Sequence, residues 1–595
     1  MAFQVSPGIN ISEQDLTTVV PNVATAIGAY AGGFAWGPVD ERTTVTTENE
    51  LVDIFGKPNA STYIDFWTCA NYLAYSNNLI VVRVTETAAT NATVGDDDAG
   101  APIDIRNATH YDASAGTLNS GTNLFVAKYP GILGNSLDVR VIDSNAWSDS
   151  TAGLYSATGT TAPLNEIWQA NFDGAPGTSA DVANAGGSED EIHVIVIDSK
   201  GWWTGTPGYI LEKFAYVSKA SDAKRHDGSS NYVKDVLRNE SKYAWIGDVT
   251  EMTANSSGTI VPAGTAKAGT TFSTFDSTNV AKSVLGGVLA GGDDGYTSST
   301  RSTAWGTRAL GYGMFATAEV VDVNLILGGD TGASPSAGNT YLSGLVGQGA
   351  TERNDAMVFL SPSEADAVTT PSRTEIITDK NVVNNYVVFD GAWKYQYDRY
   401  RDMFMYVPMN GDTAGLCART EHTDDAWWSP AGMSRGQVKN IVKLSWEPNR
   451  ADRDALYQAS VNPYITMAGA GVILWGDKTA QITPTAFDRI NVRRLFIVLE
   501  KAISTAAKAM LFEFNDEFTR SSFVNMVEPF LREVQGRRGI TDFKVVCDGS
   551  NNPGNIIDTN QFVGDIYVKP ARSINYIQLN FIAARTDVSF SEIGG

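Results

Sequence analysis

Leu79-Ile80-Val81-Val82-Arg83-Val84 decides how the 595-residue chain is read, because its length and β-branched side chains are those of a buried strand. Upstream lie a helix predicted near residues 60–76 and the compact run Ala26-Ile-Gly-Ala-Tyr-Ala-Gly-Gly33. Far downstream the strand pattern returns at Asp322-Val-Asn-Leu-Ile-Leu327 and at Met357-Val-Phe-Leu360. Buried strands alternating with helices predict an α/β sheet. The core is therefore expected in discontinuous pieces, residues 23–90 and 346–480, with two modules inserted between them.

The two inserted segments have different compositions. Residues 91–190 hold 11 Asp and 2 Glu against only Arg106, Lys128 and Arg140, and Ala, Thr, Ser, Asn and Gly fill most of the rest. They are expected to form an acidic, β-rich outer domain with many turns. Residues 191–345 open on the strand candidate 192–197 and are expected to form a second β-containing module.

From residue 481 the pattern becomes regular. Val492, Leu495, Leu499, Ile503, Ala506 and Met510 lie three or four apart, which is one apolar stripe of a long helix over 488–511. Phe523, Val527, Phe530 and Val534 predict a second helix over 516–534, with Gly536 as its stop and Pro529 as a kink or break. Strands are expected at 542–547, 562–568 and 574–582. In the last, Ile577, Leu579 and Phe581 alternate with Tyr576, Gln578 and Asn580, so one face wants burial. At the other end, Phe3, Val5, Ile9 and Ile11 give residues 1–22 one apolar face, interrupted by Pro7-Gly8 and too short to fold alone. The expected fold class is multidomain α/β and α+β. A discontinuous α/β core carries β-rich inserted outer domains and a C-terminal α+β assembly domain, residues 481–595, with extended terminal arms.

Charge removes several functions. The chain has 44 Lys+Arg against 67 Asp+Glu, a formal net charge of −23, and such a surface repels the phosphate backbone of nucleic acids. Residues 481–595 hold 13 cations and 13 acids, so the whole excess lies in residues 1–480. No run of 18 apolar residues and no signal-like leader occurs, so stable membrane insertion is not expected. Cys69, Cys417 and Cys547 are too few and too scattered for a disulfide framework, and synthesis in a reducing cytoplasm is expected.

Catalytic signatures are missing. Gly471-Val-Ile-Leu-Trp-Gly476-Asp477-Lys478-Thr479 approaches a phosphate loop, but Asp477 breaks the register and the run reads as a strand ended by a glycine turn. The acidic groups 96–98, 189–191 and 293–294 lack calcium-loop spacing, and His110, His193, His226 and His422 stand apart. Trp202-Trp203 and Trp427-Trp428 suit either a sugar-stacking platform or burial. No catalytic, cofactor-binding or metal residue is predicted, and no enzyme activity.

A specific resemblance is carried by Val388-Phe-Asp390-Gly391-Ala-Trp393-Lys-Tyr395, Asp412-Thr-Ala-Gly415-Leu-Cys-Ala418 and Ser429-Pro-Ala-Gly432. It continues through Val472-Ile-Leu-Trp475-Gly476-Asp-Lys-Thr479, Phe487-Asp-Arg-Ile-Asn491-Val-Arg493-Arg494-Leu495, Phe518-Thr-Arg-Ser-Ser-Phe523 and Lys569-Pro-Ala-Arg-Ser-Ile-Asn-Tyr576. Ser6-Pro-Gly8-Ile-Asn and Tyr129-Pro-Gly131-Ile-Leu-Gly134-Asn135 add to it. The chain resembles the contractile tail sheath proteins of large myovirus-type bacteriophages; between about 90 and 330 the match is diffuse.

The resemblance implies a virion tail protein, assembled in the host cytoplasm, that polymerises with itself as stacked six-fold rings around a tail tube. Baseplate and tail terminator proteins would be its other partners, and no cofactor is implied. Contraction of a metastable lattice would drive the tube through the host envelope. Two groups of contact residues are expected. Phe3, Val5, Ile9, Ile11, Ile577, Leu579 and Phe581 would join neighbouring subunits by strand addition. Arg489, Arg493, Arg494, Lys501 and Lys508 would make electrostatic contacts to the tube or between subunits. The alternative is a tail-associated receptor- or glycan-binding protein working through its inserted domains.

Overall fold

In the computed structural model, Leu79–Arg83 lies second from one edge of a six-stranded sheet. The structure describes residues 24–95, 101–114, 118, 123–147, 154–156, 161–249, 252, 262–274, 285–295, 305–332, 335–349, 352–575 and 578. The spatial order of the sheet is Val387–Phe389, Met357–Leu360, Leu325–Leu327, Gly28–Gly32, Leu79–Arg83 and Arg42–Val45. The first five strands are parallel and Arg42–Val45 is antiparallel to its neighbour.

Gly28–Gly32, an Ala/Gly-rich strand, occupies an interior position and is fully buried. Its small side chains let elements approach closely. A Cβ on Gly28 would fall 2.7 Å from the ring of Tyr72, on helix Tyr63–Leu73, and one on Gly311, in helix Trp305–Gly313, would fall 3.0 Å from Ala31. Tyr63–Leu73 buries nine residues, so it is a core helix rather than a surface one.

The inserted region differs from expectation. Four antiparallel strands form one sheet in the order Tyr209–Ser218, Glu191–Asp198, Leu137–Ile142 and Leu285–Val288. Strands from both sides of residue 190 therefore share a sheet, and one apolar core joins Val139 and Val141 to Val194, Val196, Val236 and Leu285. Strands that the expected division into modules 91–190 and 191–345 keeps apart thus share one sheet and one core. Helix Trp305–Gly313 and strand Leu325–Leu327, placed in the second module by sequence, pack into the core sheet instead. Residues 91–190 also contain helices Ala108–Ala113, Leu164–Asn171 and Ala180–Asn184, so they are mixed rather than simply β-rich.

Beyond the core sheet, Met403–Pro408, Trp393–Asp398 and Lys443–Leu444 form a three-stranded sheet, and Tyr464–Met467 pairs with Gly471–Leu474. The latter is the strand that sequence had set against a phosphate loop; Asp477 beyond it is buried and the Lys478 amide donates to Asn462 Oδ1 at 2.8 Å.

The chain divides into two compact units. Thr25–Arg419 with Ala431–Ile482 form one; Ala24, Thr420–Pro430 and the described residues from Thr483 onward form the other. In the second unit, helices Ile490–Ala507 and Glu517–Gly536 share a core of Leu495, Leu499, Ala502, Ile503, Phe523, Val527, Leu531 and Val534. Asp516 caps the second helix, accepting from the Thr519 amide at 2.8 Å. Pro529 does not break this helix, whose buried residues on either side, Val527 and Leu531, hold it to the core. Ile540–Val546 and Asp565–Pro570 form an antiparallel hairpin.

Candidate functional site

An open parallel sheet offers a ligand crevice where its strand order reverses, outside the carboxyl ends of the strands. Here that point lies between Gly28–Gly32 and Leu325–Leu327, and the chain's own side chains fill it. Arg308 donates to the carbonyls of Gly328 at 3.1 Å and Asp330 at 2.5 Å and to Tyr30 Oη at 3.1 Å, while Tyr30 Oη donates to Asp65. Gly329 has φ +63°, and a Cβ there would fall 2.4 Å from Tyr30 Oη. Asn410 clamps the same glycine, donating to its carbonyl at 2.8 Å and accepting from its amide at 3.1 Å.

A second buried polar group follows from the Asp390 and Asp412 motifs. Asp412 pairs with Lys394 at 2.9 Å and accepts from Tyr75 Oη at 3.1 Å; Asp390 accepts from Ser361 Oγ at 2.9 Å. Burial pushes the Asp390 carboxyl up and the Lys394 amine down, Asp412 opposing the latter. Both clusters are enclosed and packed against backbone, with Asp412 Oδ2 held by the Lys394 ion pair, which suits holding elements rigid rather than binding a substrate. No group of three or more His, Cys, Asp or Glu among the described residues is arranged around a metal site. One indole of each tryptophan pair is packed inside: Trp203 lies edge-on to Trp36 and Tyr243, and Trp427 belongs to the helical core, while Trp202 is exposed.

The motif Tyr129–Asn135 joins the inserted body to the core sheet. Arg83, fully buried at the end of its strand, donates from Nε to Phe34 O at 2.9 Å, from Nη1 to Gly37 O at 2.8 Å and from Nη2 to Pro130 O at 2.7 Å. Gly131 has φ +143°, and a Cβ on it would fall 2.6 Å from Asp294 Oδ1 and 3.0 Å from Ala35 O, so only glycine fits this joint. Asn135 and Gly292 exchange two hydrogen bonds of 2.8 Å.

The cation row of the first long helix splits. Arg489 is the N-cap residue, 3.8 Å from Asp488. Arg493 is buried, with Nη2 3.3 Å from Glu500 and its guanidinium 4.6 Å above the Phe487 ring. Arg494 is buried too and pairs with Glu421. Lys501 Nζ donates to Ala24 O at 2.8 Å. Lys508, at the C-cap, is exposed. Of the five cations expected at tube or subunit contacts, Arg493 and Arg494 are buried and pair within this chain, and every residue of Ile490–Leu495 is buried.

The seven apolar arm residues, Phe3, Val5, Ile9, Ile11, Ile577, Leu579 and Phe581, lie outside the described residues. What the structure does place is a candidate acceptor. Ile540–Val546 and Asp565–Pro570 pair only with each other among the described residues, which leaves an open edge on each strand. The sequence marks these strands but not that, among the described residues, they pair only with each other, and it does not mark Arg83 as a joint because a lone arginine in an apolar run carries no motif.

Comparison with known proteins gives the following. The family models for the phage tail sheath protein central domain and the phage tail sheath C-terminal domain match residues 312–480 and 483–584. The tail sheath protein of Vibrio phage KVP40 is 33% identical, with 99% of this chain and 100% of that protein covered. That of Enterobacteria phage T4 is also 33% identical, with 99% of each covered. In fold, the chain is similar to the crystal structure of a sheath tail protein from Desulfitobacterium hafniense, with TM-score 0.51 and 12% identity over 95% of this chain and 100% of that one.

Proposed function

The chain belongs to the phage tail sheath proteins, and from that premise we propose that it polymerises as stacked six-fold rings around a tail tube and contracts to drive the tube through a host envelope. The virion tail is its place of action, the host cytoplasm its place of assembly, and the tube, baseplate and tail terminator proteins its partners. No cofactor takes part; the energy is stored in a metastable lattice and released when subunit contacts rearrange.

The observation that carries this reading is the open-edged hairpin Ile540–Val546/Asp565–Pro570 in a chain whose two ends hold alternating apolar segments. Main-chain hydrogen bonds from a neighbour's arm would give affinity, and alternate side chains would give register. Contacts that repeat head to tail without closing generate a helical polymer. The acid excess of residues 1–480 suits a solvated surface that keeps a polymer soluble. The exposed Lys508 is the member of the cation row best placed to meet a tube, through contacts of about 0–1 kcal/mol that release readily.

Deletion of residues 1–12 tests the reading. The variant should sediment as a folded protomer under conditions in which the intact chain forms striated cylinders. Normal cylinders from the variant would refute the linking role of the arm.

A further inference from the structure

Between the two long helices, the segment Leu511-Phe-Glu-Phe514-Asn-Asp-Glu-Phe518 turns its apolar side chains outward. Leu511 is 63% exposed, Phe512 106%, Phe514 84% and Phe518 80%. The backbone beneath them is held. Asn515 Nδ2 donates to Gln561 O at 2.8 Å, Arg520 Nη1 donates to Asn515 Oδ1 at 2.8 Å, and Asp516 caps the following helix. Four large apolar groups on a fixed loop form a surface that a soluble protein covers.

Where the chain ends leave the unit decides what covers it. The start of Ile490–Ala507 and the end of Glu517–Gly536 meet at Trp427: Asn491 Nδ2 donates to Trp427 O at 3.4 Å and Trp427 Nε1 donates to Arg537 O at 3.2 Å. The helices are thus antiparallel, and the apolar loop lies at the opposite end from Trp427. Ala571, where the C-terminal segment leaves the hairpin, is tied to Asn491 and Gly539 at the Trp427 end. Ala24 is tied instead to Lys501, ten residues before the loop begins at Leu511, about 15 Å along the helix axis. The N-terminal residues therefore leave nearer the loop than the C-terminal ones do.

We propose that the loop Leu511–Phe518 is the seat of this chain's own N-terminal segment in the unassembled protomer, with Phe3, Val5, Ile9 and Ile11 covering Leu511, Phe512, Phe514 and Phe518. Residues 12–23, extended, reach about 40 Å, which is ample. Residues 2–12 carry no charged side chain, so seating them buries no unpaired ion, and Glu513, Asp516 and Glu517 stay at the rim. The seat keeps the arm from a neighbour's hairpin until assembly begins. This holding role rests on the linking function of the arm; the seat itself does not.

A cysteine pair reads the seat. Cys69, Cys417 and Cys547 are buried, so Val5→Cys with Phe514→Cys in the full-length protein reports one contact, and Val5→Cys with Arg532→Cys, an exposed position on the second helix, is the control. In dilute protein the first pair should close an intrachain disulfide at least tenfold faster than the control, seen by peptide mapping of the monomer band. Equal rates, or bonds only between chains, overturn the seat. Separately, Phe512→Ser with Phe514→Ser should shorten the lag of polymerisation at least twofold; an unchanged lag overturns the holding role. Failure of the seat leaves the 1–12 deletion phenotype intact, so the two ideas fail separately.

Discussion

Replacing Arg83 by Met keeps an unbranched apolar stem and removes the guanidinium. Three buried carbonyls, those of Phe34, Gly37 and Pro130, lose donors at 2.7–2.9 Å. A hydrogen bond from a charged group is worth about 1.5–3 kcal/mol, and removing the desolvated cation returns part of that sum. Asp294, 6% exposed, also loses the cation that opposes its burial. Stripping one member from such a buried set costs about 3–5 kcal/mol. Burial already holds the Asp294 carboxyl above its ordinary range, and losing Arg83 raises it further. A carboxyl raised in the folded state favours folding below its unfolded pKa and loses that contribution as pH rises through the folded value. The penalty of Arg83→Met should therefore be largest at neutral pH and shrink toward pH 4. Urea unfolding followed by tryptophan fluorescence suits this joint, because Trp36 lies 4.9 Å from Trp203 and 5.4 Å from Tyr129 between ring centroids. A loss below 1 kcal/mol at pH 7, with no new proteolytic cut near Tyr129–Asn135, would refute the role of Arg83 in fixing the inserted body to the core.

Leu531→Ala, fully buried between the two long helices, should cost about 2–5 kcal/mol in urea unfolding of the C-terminal unit; a cost under 1 kcal/mol would show that this core is loosely packed. Pro529→Ala should raise stability by about 1–3 kcal/mol, since proline in a helix interior is about 3 kcal/mol worse than alanine; a fall would mean that proline fits a bend that the helix needs. Burial pushes the Asp379 carboxyl up to about 6, so wild type should gain stability over Asp379→Asn as pH falls from 6 toward 4, and a flat difference curve in thermal unfolding would contradict this. Lys508→Glu should weaken assembly on preformed tube at low salt more than at high salt; equal assembly at both would remove Lys508 from that contact.

Local patterns were legible where they persisted. Met357–Leu360 is a continuous apolar run buried on both faces, Leu79–Val82 is an apolar run with only Ile80 half-buried, and the two long helices each carry a stripe that composition cannot hide. Gly28–Gly32 was not legible as a strand, since Ala and Gly have low strand preference and earn their place by letting Tyr72 and Ala31's neighbours close in. The unity of the inserted body was hidden because Leu137–Ile142 pairs with Leu285–Val288, partners nearly 150 residues apart whose register no local pattern encodes. Arg493 and Arg494 looked like surface charges because a sequence shows a residue's charge and not its enclosure. Their pairing with Glu500 and Glu421 depends on a helix face wider than the apolar stripe alone. The arm residues were picked out by alternation, but the open edges that could receive them needed the hairpin geometry.

A helical reconstruction of polymer assembled from the purified chain tests strand linkage most directly. Density for residues of one subunit's arm should run beside Ile540–Val546 or Asp565–Pro570 of another, at the roughly 4.8 Å spacing of paired strands. Arms that stay on their own subunit throughout the polymer, with both hairpin edges bare, would contradict it.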